Sequence, residues 1–197
     1  MSLAELQFDE STHAYSVGSR KVPSVTQVLR QIDDLEGIPH DLLEAAAHFG
    51  RHVHQAVDLF NKGTLDEATL DPFLEPYLAG WQLFLKQTGA GVLESERRVY
   101  HRKLNYGGTF DQIVAWHTLP ELVDVKSGAA VPRSVGPQTA AYRMAYLSED
   151  PSNQLGRARY CVHLLGNGKY KLSKYTDPQD WTIFVSALNC WNWIKKT

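Results

Sequence analysis

Residues 122–126 read Leu-Val-Asp-Val-Lys, and no other stretch restricts the fold of this chain as strongly. The apolar residues mark a short buried strand. Side chains alternate between faces along a strand, so Asp124 and Lys126 share one face while Val123 and Val125 share the other. Charges are rarely buried without partners, so a fold that hides this strand must bring compensating groups to the Asp124–Lys126 face. Asp111, near the start of the preceding predicted strand at 109–116, is the candidate. Two carboxylates at the ends of adjacent strands can hold a hard divalent cation, Mg²⁺ or Mn²⁺, through oxygen ligands. A lysine beside them can orient or deprotonate an attacking water and offset phosphate charge. The same three residues also admit a plainer reading, an ordinary Asp–Lys pair at a strand end.

Periodicity places this strand in a mixed α/β chain. Residues 13–17 and 20–23 read as a hairpin across Gly18-Ser19, and Ser24 is a cap for a short helix over 25–29. After Gly37-Ile38-Pro39, Asp41 is the expected N-cap of a long helix reaching residues 61–63. Its stripe is Leu42, Ala46, Phe49, Val53, Ala56 and Phe60. A third helix is expected from Asp71-Pro72, with Leu74, Leu78, Trp81 and Leu85 inward and Pro76 bending its first turns. From Gly91 the period changes to two. Residues 92–101, 109–116 and 122–125 read as strands, separated by Asn105-Tyr106-Gly107-Gly108 and by Leu119-Pro120. A helix over 136–147 follows, then a hairpin of 159–165 and 169–174 around Gly166-Asn167-Gly168. Asp177-Pro178 opens a last helix with Trp181, Phe184, Val185, Leu188, Trp191 and Ile194 on one face. The order implies one α/β domain over 1–197, with a hairpin and helices in 1–90 and a mixed sheet with helices on both sides in 91–197.

Composition narrows the function. A chain of 197 residues, 43% hydrophobic, can bury one substantial core and is too short for two ordinary enzyme domains. No run approaches the roughly 18 to 20 apolar residues of a membrane span, and Met1-Ser2-Leu3-Ala4-Glu5 lacks a signal-peptide layout, so a soluble, cytoplasmic protein is expected. Cys161 and Cys190 both lie in apolar segments and are expected to be buried thiols. Two cysteines cannot supply the four thiolates of an iron-sulfur cluster. A net charge of −2 argues against non-specific coating of nucleic acid, though not against a nucleic-acid enzyme, whose clustered carboxylates lower the formal charge. The basic residues gather in two groups: Arg97, Arg98, His101, Arg102 and Lys103, then Lys169, Lys171 and Lys174. No phosphate-binding glycine loop is found, so any helicase activity would come from a partner.

Further residues join the carboxylates and lysine. Gln138 and Tyr142 stand four apart on the predicted 136–147 helix and share a face, where an amide and a phenol can contact a phosphate or a base. Gly50 and His54 stand four apart on the long helix, where a missing side chain leaves space beside an imidazole. His40, His48 and His52 lie nearby and compete for the same role. Taken in order, Gly50-x-x-x-His54, Gly108-Thr109-Phe110-Asp111, Asp124-Val125-Lys126 and Gln138-x-x-x-Tyr142 resemble the RecB-type branch of the PD-(D/E)XK nucleases. The opening Phe8-Asp9-Glu10 to His13-Ala14-Tyr15, followed by residues 22–26, is similar to the start of small phage and prophage members.

The resemblance implies a restriction-endonuclease-like fold and Mg²⁺- or Mn²⁺-dependent hydrolysis of DNA. It implies an exonuclease of phage-type recombination, repair or replication, with a single-strand annealing or binding protein, or a helicase, as protein partner. On that resemblance His54, Asp111 and Asp124 would ligate metal with the Val125 carbonyl, Lys126 would be the catalytic lysine, and Gln138 and Tyr142 would support the site or the DNA. Glu96 matches a glutamate of the strand before the first acid, as a metal contact or a support of the fold. Three rivals remain: a nicking or structure-specific endonuclease, a non-catalytic DNA-binding accessory protein, and a zinc hydrolase built on His52-x-His54. A helix places the last pair of side chains about 200° apart.

Overall fold

The structure is a computed structural model that describes residues 6–10, 12, 14–33, 37 and 39–195. His13 of the predicted hairpin, Ile38 of the predicted turn and the segment Met1–Glu5 lie outside the described residues. The chain opens with β1 (Leu6–Asp9), β2 (Ala14–Val17) and β3 (Arg20–Val22), an antiparallel sheet in that order, one strand more than the expected hairpin. Ser24 caps α1 (Val25–Leu29) as expected: its hydroxyl accepts from Gln27 N at 3.0 Å, and Gln27 Oε1 accepts from Ser24 N at 3.1 Å.

Two long helices follow, α2 (His40–Asn61) and α3 (Glu75–Thr88). Then come β4 (Gly91–His101), β5 (Tyr106–Ala115), β6 (Glu121–Lys126), α4 (Val135–Glu149), β7 (Arg159–Leu164), β8 (Tyr170–Tyr175) and α5 (Gln179–Ile194). The last five strands form one sheet in sequence order, in which only β6 and β7 run parallel, with α4 as their crossover. One face packs on α1, α4 and α5 through Val25, Phe110, Leu122, Ala141 and Phe184. The other packs on α2 and α3 through Val53, Trp81, Phe84, Val123 and Val162. This mixed sheet with helices on both sides is the restriction-endonuclease-like α/β arrangement that the motif order implied.

Several local expectations are corrected. Asp41 does not cap α2, which starts after Pro39 with no side-chain cap and holds Asp41 in its first turn. Leu42 and Ala46 are exposed, because 22 residues of helix extend about 33 Å and only the half carrying Val53, Ala56 and Val57 meets the sheet. Asp71 caps a turn, accepting from Phe73 N, and α3 begins later with Pro76 in its first turn. Gly107 and Gly108 belong to β5, which puts Asp111 in mid-strand. A Cβ at Gly108 would stand 2.6 Å from the Tyr142 ring, so the glycine there admits α4 to the sheet. Cys190 and Ile194 are exposed on α5, while Ala187 takes a place in the core; Cys161 is buried as expected.

Gly80 brings α3 against the β7–β8 turn, where a Cβ would stand 2.8 Å from the Lys169 carbonyl oxygen. Gly80→Ala should therefore lower Tm. Overpacking costs roughly 1–3 kcal/mol, against a gain of at most about 1 kcal/mol in helix propensity. A raised Tm in a thermal melt would show that the turn yields freely.

Candidate metal centre

The β5–β6 ladder pairs Val114 with Glu121, Ile113 with Leu122 and Gln112 with Val123, and stops there. Continuing the register by one residue places Asp111 opposite Asp124. On the other side of β5, Ser95 pairs with Gln112 and Arg97 with Phe110, so Glu96 occupies the level of Asp111. Three carboxylates on three adjacent strands thus share one row across the sheet. Where the ladder ends, the Val125 N–H is released from pairing with β5 and donates to Asp111 Oδ2 at 2.6 Å. Glu96 sits in the left-handed region, with φ of 48°, in a strand already shifted by a bulge between Val92 and Glu94.

His54 reaches this row from α2. Its Nδ1 lies 3.2 Å from Glu96 Oε1 and 3.4 Å from Asp111 Oδ1. One ligand atom each from His54, Glu96 and Asp111 falls within a 4.8 Å group. A nitrogen and two hard oxygens so close together could hold a divalent cation. Asp124 is engaged differently: both its oxygens lie 2.8 Å from Lys126 Nζ, Oδ1 aligned for a hydrogen bond and Oδ2 not. Gln138 Nε2 donates weakly to Tyr142 Oη at 3.5 Å, and Tyr142 is buried, within reach of the charges of Asp111 and Asp124.

The other histidines of α2 stay outside. His52 is exposed, packs edge-on against His48 with ring centroids 4.3 Å apart, and places Nδ1 3.1 Å from the His48 carbonyl oxygen. His40 pairs with Glu44 on the surface. Gly50 faces Ser127, where an added Cβ would make an ordinary contact at 3.9 Å. The first basic group disperses: Arg97 pairs with Glu94 and Glu149, Arg98 lies over Phe8, and His101 is buried against Trp181.

No protein-family model matches the sequence, and no curated protein is similar enough to match it. Among the solved structures that resemble the chain are two of low identity. An alkaline exonuclease (LHK-Exo) from Laribacter hongkongensis is 14% identical, with 88% of this chain and 91% of that chain covered and a TM-score of 0.39. The structure of SSO0001 is 13% identical, with 84% of this chain and 72% of that chain covered and a TM-score of 0.39.

Sequence reasoning passed over the residues that hold the row in place. Gln112 Nε2 donates to Ser95 Oγ at 3.1 Å, Asn61 Nδ2 donates to Gln112 Oε1 at 3.0 Å, and Trp81 Nε1 donates to Asn61 Oδ1 at 2.8 Å. This chain ties α3 and α2 to both strands beside Glu96 and Asp111. Gln112, beside the apolar run of residues 113–116, is its one sign in the sequence, and the structure buries that amide fully. His163 was also missed. It neighbours Lys126 in the β6–β7 ladder and bonds the Gly128 carbonyl oxygen at 2.7 Å, fixing the loop after the lysine.

Burial alone would lower the His54 pKa, but the negative charge of Asp111 and hydrogen bonds to Asp111 and Glu96 outweigh it and raise the pKa to about 10. Burial would raise Asp111, yet the His54 charge, then Lys126 and the Val125 N–H, hold it below the usual carboxylate range. Glu96 is raised by burial, offset in part by its bond to His54. Asp124 is pushed up to about 6, by burial first and by Asp111, against the pull of Lys126. Lys126 stays protonated: burial opposes its charge, but Asp124 and Asp111 raise its pKa. Burial also raises Tyr142, helped by the charge of Asp111.

Because the folded-state pKa of His54 exceeds its ordinary 6.5, its contribution to stability is complete below pH 6.5 and fades as pH rises toward about 10. The Asp124 shift, from 3.8 to about 6, acts below that window. Metal-free protein should therefore lose stability between pH 6.5 and about 10, and His54→Gln should flatten the loss. Urea unfolding in chelator across this range checks it; equal slopes in the two proteins would remove His54 from the balance.

Proposed function

We propose that this chain is a divalent-metal-dependent nuclease that hydrolyses DNA phosphodiester bonds, acting as an exonuclease in phage-type DNA recombination, repair or replication. The observation that carries the reading is the row Glu96–Asp111–Asp124, met by His54 from α2 and by Lys126 from its own strand. A purely structural use of these residues would need fewer charges, since each buried ion costs several kcal/mol of desolvation. The order of the motifs resembling RecB-type nucleases supports DNA as substrate.

His54, Glu96, Asp111 and Asp124 are proposed to hold Mg²⁺ or Mn²⁺, with the Val125 carbonyl as a further ligand. The cation would supply an activated water and charge stabilisation at the scissile phosphate. Lys126 is the catalytic residue of the chain itself. Its ammonium is positioned by both Asp124 oxygens, so it can orient the nucleophile and meet phosphate charge without searching for a rotamer. Val125 N–H fixes the Asp111 carboxylate, and Tyr142 with Gln138 closes the α4 side of the row.

Asp111→Asn should abolish cleavage of end-labelled linear DNA in Mg²⁺ or Mn²⁺. Wild type should degrade linear DNA, spare covalently closed circles and stop in chelator. Nicking of closed circles at the rate of linear cutting would favour an endonuclease. Cleavage that persists in chelator, or none under any condition, would overturn the reading.

Lys126→Met separates catalysis from folding. Asp124 already titrates at about 6, so without its partner it can take a proton and the protein should stay folded. DNA binding in Ca²⁺ should survive, while cleavage falls by roughly 10²- to 10⁴-fold. Circular dichroism, binding and rate are measured together; a folded variant cutting at the wild-type rate would exclude Lys126 from the mechanism.

A further inference from the structure

A cavity of about 380 Å³ opens between α4 and the start of α5, lined by Arg143, Arg157, Arg159, Asp177 and Trp181 among others. It lies toward the opposite end of β6 from the metal centre: Arg159 pairs with Leu122 in the β6–β7 ladder, whereas Lys126 pairs with His163. Nothing in the nuclease reading uses it.

The charges in its wall are unevenly matched. Arg159, only 6% exposed, has one terminal nitrogen bound to the Asp180 carboxylate, but its Nε is buried without an acceptor. Among the described residues Arg143 makes no ion pair, although the charge of Glu121 acts on it; its Nε and Nη2 donate to the Gly156 and Leu155 carbonyl oxygens at 2.7 and 3.2 Å. Those bonds fix the guanidinium plane and leave Nη1 with a weak contact to Met144 Sδ at 3.9 Å. Arg157 is exposed and makes no hydrogen bond or ion pair among the described residues. Asp177 accepts from Gln179 N at 2.8 Å, which places its carboxylate on the start of α5. Burial first, then the positive charges of Arg159 and Arg157, lower the Arg143 pKa, offset in part by the charge of Glu121.

Guanidinium donors suit phosphate oxygens, and the Nη1 of Arg143 and the exposed Arg157 offer such donors here. Trp181 adds a flat apolar wall, already braced by Phe184 and His101 at centroid distances of 5.9 Å. A pocket of 300–1,000 Å³ is the usual size for a small organic ligand. We propose that this cavity binds a nucleoside phosphate, with the phosphate on Arg143 and Arg157 and the base against Trp181. The nucleotide is either free or part of a DNA strand, and its recognition requires no metal at the row of carboxylates.

The test uses the whole protein in chelator, so that binding is read without cleavage and failure of the nuclease reading leaves it intact. Calorimetry would compare deoxyadenosine monophosphate, deoxyadenosine and a short single-stranded oligonucleotide on wild type, Arg157→Ala, Trp181→Leu and Asp111→Asn. A melt of each variant confirms folding, and Arg157→Ala alters only an exposed side chain. The monophosphate, the oligonucleotide or both should bind wild type, at least 10-fold more weakly to Arg157→Ala and unchanged to Asp111→Asn. Deoxyadenosine alone should bind much more weakly than its monophosphate. Monophosphate binding without the oligonucleotide would identify a free nucleotide, and tighter oligonucleotide binding a strand; both support the proposal. Absence of binding by either phosphate ligand would overturn it. So would binding that survives Arg157→Ala, or binding that is lost in Asp111→Asn.

Discussion

Glu96, Asp111 and Asp124 occupy one level of three neighbouring strands, and three carboxylates brought so close in a buried sheet repel one another strongly. Much of the surrounding structure answers that repulsion. The β5–β6 ladder ends at Gln112 and Val123, which frees the Val125 N–H to bond Asp111. Helix α2 delivers His54 between Glu96 and Asp111, and β6 delivers Lys126 to Asp124 two residues away on the same face. Each carboxylate is thereby matched to its own donor.

Such an arrangement tolerates little play, because a displaced cation would leave an unpaired buried anion. The chain of Trp81, Asn61, Gln112 and Ser95 answers this second need. It pins α2, the carrier of His54, to the two strands carrying Glu96 and Asp111, one residue away from each acid. The positive φ of Glu96 fits the same picture: a strained backbone persists where neighbouring contacts over-determine it. Stability in this region is spent on position, and the apolar packing of Val53, Trp81 and Phe84 beneath supplies it.

How much of this was legible in the sequence follows from the range of each signal. Period-two alternation in residues 121–126 and the 166–168 turn are local, and the strands and hairpin lie where they were read. The Ser24 cap is local too. Burial on α2 was not, because an apolar stripe tells which side of a helix faces a core and not how far the helix overhangs it; Leu42 and Ala46 lie on the overhang. Gly107 and Gly108 read as loop residues, yet Tyr142 from α4 makes small residues necessary inside a strand. Cys190 sits in an apolar helix but on its outer side. Asp124 and Lys126 could be paired by spacing alone. The level of Glu96 could not, because it depends on register across β4 and β5 and on a bulge that spacing does not reveal.

The charge balance also explains why the site can be stable and yet ready for a cation. Three carboxylates face two side-chain cations, His54 and Lys126, and burial, with the charge of Asp111 added, pushes the Asp124 pKa up to about 6. The His54 proton, held up to about pH 10, occupies the nitrogen closest to Glu96 and Asp111. A divalent ion using that nitrogen must displace the proton, since a ligating imidazole is neutral. The exchange replaces one positive charge by two at the same place. On the proposed nuclease reading the three carboxylates with His54 and Lys126 would pass from net negative to neutral, which favours approach of a phosphate anion. Lys126 lies outside the exchange, because its ammonium is tied to Asp124 and not to the His54 nitrogen. Its charge is retained in both states, which suits the catalytic role proposed for it.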